Sequence, residues 1–326
     1  MKPIFLLLAC LFLPSLSLWS QERLRIVELN VENLFDAQHD SLKEDREFLP
    51  DSPRRWTRTR YWQKLNHIGQ EIIACGEDSS GCGLPDLVGL CEVENDTVLR
   101  DLTRRSLLRK ARYEYVMTAS PDVRGIDVAL LYSPLSFRPV HADTIRVAPL
   151  EGMRPTRDIL YVAGEVPNGD TLHVFVLHAP SRMGGEAFSR PFRLHVAERL
   201  CQCVDSLLHL SPKASVLVMG DFNDYAGSPS LQLAYRHGLR NVSRQAEGRN
   251  GAGGTYRYQG EWESLDHILV SDALAGKVRA CRIADLPFLL EEDAIYGGVK
   301  PRRNYNGMRY NRGFSDHLPL VLELDM

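Results

Sequence analysis

Asp221 and Asn223 stand immediately after the apolar run Val216-Leu217-Val218-Met219 and the turn-permitting Gly220, with Phe222 between them. Side chains alternate along an extended backbone, so this spacing projects the carboxylate and the amide to one side and the phenyl ring to the other. A carboxylate and an amide on one rim suit an oxygen-seeking cation and an activated water. The same residues also make an ordinary turn, because Asp, Asn and Gly are common turn formers. Recurrence decides between the two. Strand-like runs end in polar residues at Asn30, with Glu32 and Asn33 just beyond, at Glu92 and at His178. Leu265-Asp266 opens another run, and Ser315-Asp316-His317 precedes the last. Acids, amides and two histidines at six strand ends imply a shared metal-phosphate site, since open α/β sheets carry their sites on such rims.

The elements that must position these residues are readable from periodicity. Short apolar runs cover 24–29, 87–90, 127–132, 160–165, 172–177, 216–219, 265–270 and 318–324. Tyr61, Leu65, Ile68 and Ile72 have helical spacing, with Gly76 where a C-terminal cap is expected. Pro191 suits a first helical turn, followed by a stripe of Val196, Leu200, Val204, Leu207 and Leu208. Many strands with a few intervening helices predict a layered α/β protein of mixed sheets. The stretch 286–313, rich in Gly, Arg, Asn and Tyr, reads as a long functional loop.

Residues 4–13 form an apolar run behind Lys2, followed by Pro14 and serines at 15, 17 and 20. That run is too short to span a bilayer, so residues 1–20 read as a secretory signal peptide. The mature chain, 21–326, is then expected to be one exported domain, periplasmic or secreted. Leu7-Leu8-Ala9-Cys10 also resembles a lipoprotein cleavage box, with anchoring through Cys10 as the alternative. Removing residues 1–20 moves the net charge only from −3 to −4, so any polyanion site must come from local basic clusters. Six cysteines remain after Cys10. Cys75 and Cys82 flank a short loop and are either a closed disulfide or two buried thiols, and no zinc-type spacing is present.

Taken in order, Asn30, Glu92, His178, Gly220-Asp221-Phe222-Asn223, Ser264-Leu265-Asp266 and Ser315-Asp316-His317-Leu318-Pro319 resemble the motifs of the endonuclease/exonuclease/phosphatase superfamily. The resemblance runs from Ile26 to the end of the chain. It implies a four-layered α/β sandwich, two mixed β-sheets face to face with helices outside, and divalent-metal-dependent hydrolysis of phosphate esters. By matching position, Glu92 becomes the principal ligand of Mg²⁺ or Mn²⁺, or of Ca²⁺, with Asn30 and Asp316 nearby. Asp221 orients or deprotonates the attacking water, and Asn223 holds a phosphate oxygen. His317, paired with Asp266, sits beside the scissile phosphate. His178 is the second histidine, donating to a phosphate oxygen or to the leaving group. A buried carboxylate at 266 needs a partner, which favours that pairing on its own chemistry. His267 alternates to the opposite face and is expected to be structural.

For the substrate, Arg124 and Arg182 are the candidates for bidentate phosphate contacts. Arg190 and Arg193 read equally as solvated surface. Lys300, Arg302, Arg303, Tyr305, Arg309, Tyr310 and Arg312 interleave basic and aromatic residues, a pattern that suits stacked bases and also sugar or inositol head groups. The expectation is therefore a nuclease cutting nucleic-acid phosphodiester bonds. A phospholipid or sugar-phosphate esterase is the alternative. A histidine at 178 resembles the deoxyribonuclease and sphingomyelinase branches rather than abasic-site endonucleases, which carry tyrosine there. A non-catalytic binding module on the same fold is disfavoured by the intact Glu92, Asp221, Asp266 and His317.

Overall fold

Apolar runs flanked by polar ends become strands buried on both faces, and they assemble here into two six-stranded sheets. The computed structural model of the protein describes residues 23–78 and 81–326, with residues 78, 81 and 82 described by backbone alone. In chain order the strands are β1 Arg23–Leu34, β2 Leu87–Val93, β3 Glu114–Met117, β4 Asp127–Tyr132, β5 Arg138–Ile145, β6 Ile159–Glu165, β7 Thr171–His178, β8 Ser215–Asp221, β9 Leu239–Asn241, β10 Asp266–Ser271, β11 Val278–Ile283 and β12 Leu320–Asp325. The first sheet runs β11-β12-β1-β2-β4-β3 and the second β9-β10-β8-β7-β6-β5. Both mix parallel and antiparallel pairs: β1 is parallel to β2 and antiparallel to β12, while β8 is parallel to β7 and antiparallel to β10.

The sheets meet across an apolar layer that includes Ile26, Leu87, Val128, Val174, Leu217, Met219, Ile268 and Leu322. Gly89 allows the close approach, since a Cβ there would lie 2.8 Å from the Met219 side chain. Helices α1 (Arg58–Cys75) and α2 (Asp96–Arg104) cover the first sheet, and α3 (Glu186–Leu210) and α4 (Pro229–Arg236) cover the second. The predicted four-layered sandwich is the observed architecture.

Two expectations change. The third helix begins at Glu186, so Pro191 lies inside α3 rather than opening it. Glu186 in the first turn pairs with Arg190 at 3.1 Å and also bonds Arg193, which extends the helix back to Gly185. The stretch 286–313 is not an open loop. It carries a 3₁₀ turn, Pro287–Leu289, and two short strand pairs, Leu290–Glu292 with Val299–Pro301 and Tyr305–Asn306 with Arg309–Tyr310. Cys75 is a buried free thiol, while the Cys82 side chain lies outside the described residues, as do the predicted signal peptide and Cys10. Among the described residues no helix is long and apolar enough to cross a membrane.

Candidate active site

Adjacent strands of the second sheet end level with one another. His178 closes β7, Asp221 closes β8 and Asp266 opens β10, and in the ladder Asp221 pairs with both His178 and Asp266. Gly220 makes this level ending feasible: its φ is 147° and a Cβ would lie 1.9 Å from the Leu177 carbonyl oxygen. His317 arrives from the loop before β12, fixed by its backbone N–H donating to Ser315 Oγ at 3.1 Å, while Ser315 Oγ donates to the Asn30 carbonyl at 2.6 Å.

The His317 ring is held by Asp266. Nδ1 donates to Asp266 Oδ2 at 2.7 Å, and the Thr255 hydroxyl donates to the same oxygen. Burial pulls the His317 pKa down, but the Asp266 carboxylate, and then Asp221 and Asp316, outweigh it and carry it well above its ordinary value. The surroundings of His317 therefore favour its protonated form, and its Nε2 lies 4.0 Å from Asp221 Oδ2. His178 is the opposite case. Burial, reinforced by Arg157 and Arg124, pushes its pKa well below the ordinary value, and its Nε2 sits 3.4 Å from the same Asp221 oxygen. Arg157 is itself buried, ion-paired to Asp122 at 3.1 Å and donating to the carbonyls of His178 and Ala179.

Asp221 is 2% exposed and lies between these two rings. Burial and the neighbouring Asp266 push its pKa up to about 7, against the pull of His317, the Asn223 backbone N–H at 2.8 Å and the Asn30 amide at 3.1 Å. A carboxyl poised near neutrality can accept a proton from water and return it. Asn223 follows in the left-handed region, φ 49°, with its side-chain amide donating to the Ala179 carbonyl at 3.1 Å. Phe222 packs into the core, as alternation predicted.

The first sheet supplies the other half. Pairing of β1 with β2 shifts register beyond Asn30, and pairing of β2 with β4 shifts between Cys91 and Val93. Both irregularities coincide with left-handed residues: Glu32, Asn33 and Glu92 have φ of 49°, 55° and 67°. Non-glycine residues held there carry strain that surrounding structure must sustain, a feature that clusters at functional sites. Glu92 Oε2 accepts the Asn33 N–H at 2.8 Å, and Arg124 stands 3.8 Å from its Oε1 while donating to Asn33 Oδ1. Asn30 Oδ1 accepts the Glu32 N–H at 3.0 Å. Asp316 Oδ2 accepts from Arg303 at 2.8 Å. Beneath them Glu32 accepts the Asn304 N–H at 2.6 Å and lies 3.5 Å from Arg303, with its own pKa raised to about 7 by burial and by Asp316.

Asn30, Glu92, Arg124, His178, Arg182, Asp221, Asn223, Asp316 and His317 thus line one cleft of about 590 Å³, with Asp266 directly behind His317. For a cation, two donor sets are present. Asp221, Asp266 and His317 offer atoms within 4.8 Å of one another, but Asp266 Oδ2 and His317 Nδ1 are committed to their mutual hydrogen bond. Asn30, Glu92 and Asp316 present hard oxygens to the same cleft, a donor set that fits a small divalent ion which retains several waters.

Residues 25–326 match the Endonuclease/Exonuclease/phosphatase family. The chain belongs to that family. Its members are divalent-metal-dependent phosphoric ester hydrolases, and this chain is one of them. No curated protein gives a significant sequence match. Among solved structures, a family protein from Bacteroides thetaiotaomicron is similar with TM-score 0.61 and 17% identity, over 93% of this chain and 97% of that one. A mannosyl-6-phosphatase from the same organism gives TM-score 0.61 and 17% identity over 93% and 100%. The human Nocturnin catalytic domain, with bound sulfate, gives 0.55 and 19% over 93% and 94%. At these identities the likeness speaks for the shared fold.

Several expected substrate contacts differ from the sequence reading. Arg182 lines the cleft but is already engaged, 2.8 Å from Glu263 and 2.7 Å from the Tyr225 hydroxyl, with its guanidinium over the Tyr225 ring. Tyr305 is 3% exposed, tilted against Trp56, and Tyr310 bonds Gln63 beneath Arg60. Tyr305 is core material, and half-buried Tyr310 already has Arg60 over its ring, so neither is a free stacking platform. Arg193 is fully buried, 2.8 Å from Asp224, and anchors α3 to the turn after Asp221; Arg190 remains on the surface. His267 is structural as expected, its Nε2 donating to the Asp224 carbonyl at 2.9 Å. Residues missed from sequence include Thr255 behind Asp266 and Tyr256, whose ring lies 4.9 Å from His317. Glu28 was also missed: it is buried beneath the site with neither carboxyl oxygen partnered among the described residues, and burial followed by Asp266 raises its pKa well above normal. A strand acid inside an apolar run was the only available signal.

Proposed function

We propose that the chain is an exported nuclease that hydrolyses phosphodiester bonds of nucleic acid with an activated water. The observation that supports a diester is the shape of the cleft. On one side it continues through Arg124, Ser181 and Met183 into a pocket of about 220 Å³, and on the other through Tyr256, Tyr258 and Asp316 into a second of similar size. A phosphate at the centre then has room for a group on each ester oxygen. Glu92, Asn30 and Asp316 hold the divalent ion, Mg²⁺ or Mn²⁺, which when bound neutralises phosphoryl charge. Asp221 takes the proton of the attacking water, with its two oxygens oriented by Asn30 and by the Asn223 N–H. The His317 imidazolium, held by Asp266, and the His178 ring flank the phosphate from the two sides of Asp221 and stabilise charge on its oxygens. Arg124 contacts a phosphate oxygen at the first-sheet side.

Mature protein given supercoiled plasmid, single-stranded RNA, sphingomyelin and mannose 6-phosphate, each with Mg²⁺ or Mn²⁺ and then with chelator, tests this directly. Metal-dependent cutting of at least one nucleic acid is expected. Turnover of lipid or sugar phosphate with plasmid and RNA untouched would overturn the nuclease assignment and favour the alternative esterase.

A further inference from the structure

The pocket beyond Arg124 is unlike the rest of the cleft. Its walls are Met153, Pro180, Met183, Phe188 and Phe192, apolar side chains beside a charged phosphate site. Phe188 and Met183 are 58% and 75% exposed, apolar surface left open to water at the mouth of a functional cleft. Phe188 is not loose: its ring meets Phe192 edge-on, centroids 5.4 Å apart at 88°, and packs over Gly184, whose φ is 81°. Resting on the nuclease assignment, we propose that this pocket seats the nucleobase next to the scissile phosphate, with Phe188 as its stacking face and so as a residue that determines substrate preference.

Two observations favour a base over a lipid chain. The volume suits one ring system rather than a long acyl tail. The pocket is also continuous with the cleft through Arg124, Ser181 and Met183, so a group seated there adjoins a phosphate held in the cleft. Every base presents a π-face, so stacking on Phe188 gives affinity with little sequence preference.

Titration calorimetry of the full mature protein with Mg²⁺ compares adenosine 5′- and 3′-monophosphate, ribose 5-phosphate and decyl phosphate. At least one nucleotide is expected to bind about tenfold more tightly than ribose 5-phosphate. In Phe188→Ala that ratio should fall to within about threefold while ribose 5-phosphate affinity is unchanged, since an exposed ring can be removed without unfolding the chain. Equal affinity for nucleotide and ribose phosphate, a ratio unchanged by Phe188→Ala, or preference for decyl phosphate would overturn the base pocket. Turnover of plasmid and RNA is read separately. A nucleotide preference without any cutting leaves the pocket standing and removes the nuclease assignment, whereas cutting without a preference removes the pocket alone.

Discussion

The two rims of the cleft solve different problems with different backbone. The second-sheet rim carries His178, Asp221 and Asp266 on regular strand ends in ladder register, and all three are buried. Each is aimed by its strand, and His317 is fixed by Asp266 and Ser315. The first-sheet rim carries Asn30, Glu92 and Asp316 around two register shifts and three left-handed residues, with arginines standing against Glu92 and Asp316. Proton chemistry needs fixed distances and shifted pKa values, which buried regular strands supply. Holding an ion needs oxygens converging from one direction, which a regular pleat cannot offer because neighbouring side chains alternate. The irregular rim is the one proposed above to hold the cation.

The largest effect should follow from breaking the regular rim at Asp221, or from removing the His317 ring that Asp266 on that rim holds. Asp221→Asn and His317→Ala are each expected to lower kcat by about a thousandfold or more, through loss of the proton acceptor and of the charge-stabilising imidazolium. Thermal unfolding should change little for Asp221→Asn, since burial makes the charged form costly there in the first place. Near-normal turnover by either variant would mean the rim holds structure and not chemistry.

That rim was also the more legible one. His178, Asp221 and Asp266 sit where apolar runs begin or end, and a strand has nowhere else to place a polar group without covering it. The same logic found Asn30 and Glu92, and the opposite face of Phe222 and His267 followed from alternation. What it could not find depends on distant pairing. Glu263 neutralises Arg182 from 81 positions away, and Trp56 and Arg60 take up Tyr305 and Tyr310 from the far end of the chain. A basic and aromatic stretch looks the same in sequence whether its rings face solvent or core. Pro191 misled because an acid at Glu186 with arginines at 190 and 193 starts a helix before the proline does.

A smaller and different response is expected from the irregular rim. Glu92→Gln keeps the shape and one carbonyl oxygen but removes the charge, so half-maximal rate should need roughly a hundredfold more Mg²⁺, with much of kcat recovered at saturation. The comparable change on the other rim, Asp266→Asn, should not be rescued by metal. It removes the largest charge holding His317 protonated, so the alkaline limb of the pH profile should move to lower pH. Metal rescue of Asp266→Asn, or none for Glu92→Gln, would exchange the roles assigned to the two rims.

The smallest effect concerns what lies under the irregular rim. Lys64 is fully buried there, donating to the Phe314 carbonyl, and Glu71 is buried nearby on α1 with neither oxygen partnered among the described residues. Burial raises the Glu71 pKa from its ordinary range to about 8, with Lys64 pulling it back only in part. The unfolded chain ionises this group near pH 4.5 and the folded chain only near 8, so its contribution lowers stability as pH rises through that window. Glu71→Gln cannot titrate. Its melting temperature relative to the unaltered protein should therefore rise between pH 5 and pH 8, by a few degrees in all. If the difference instead falls with pH, Glu71 and Lys64 are a charged pair in the folded state, and the irregular rim rests on an ion pair rather than on a neutral acid.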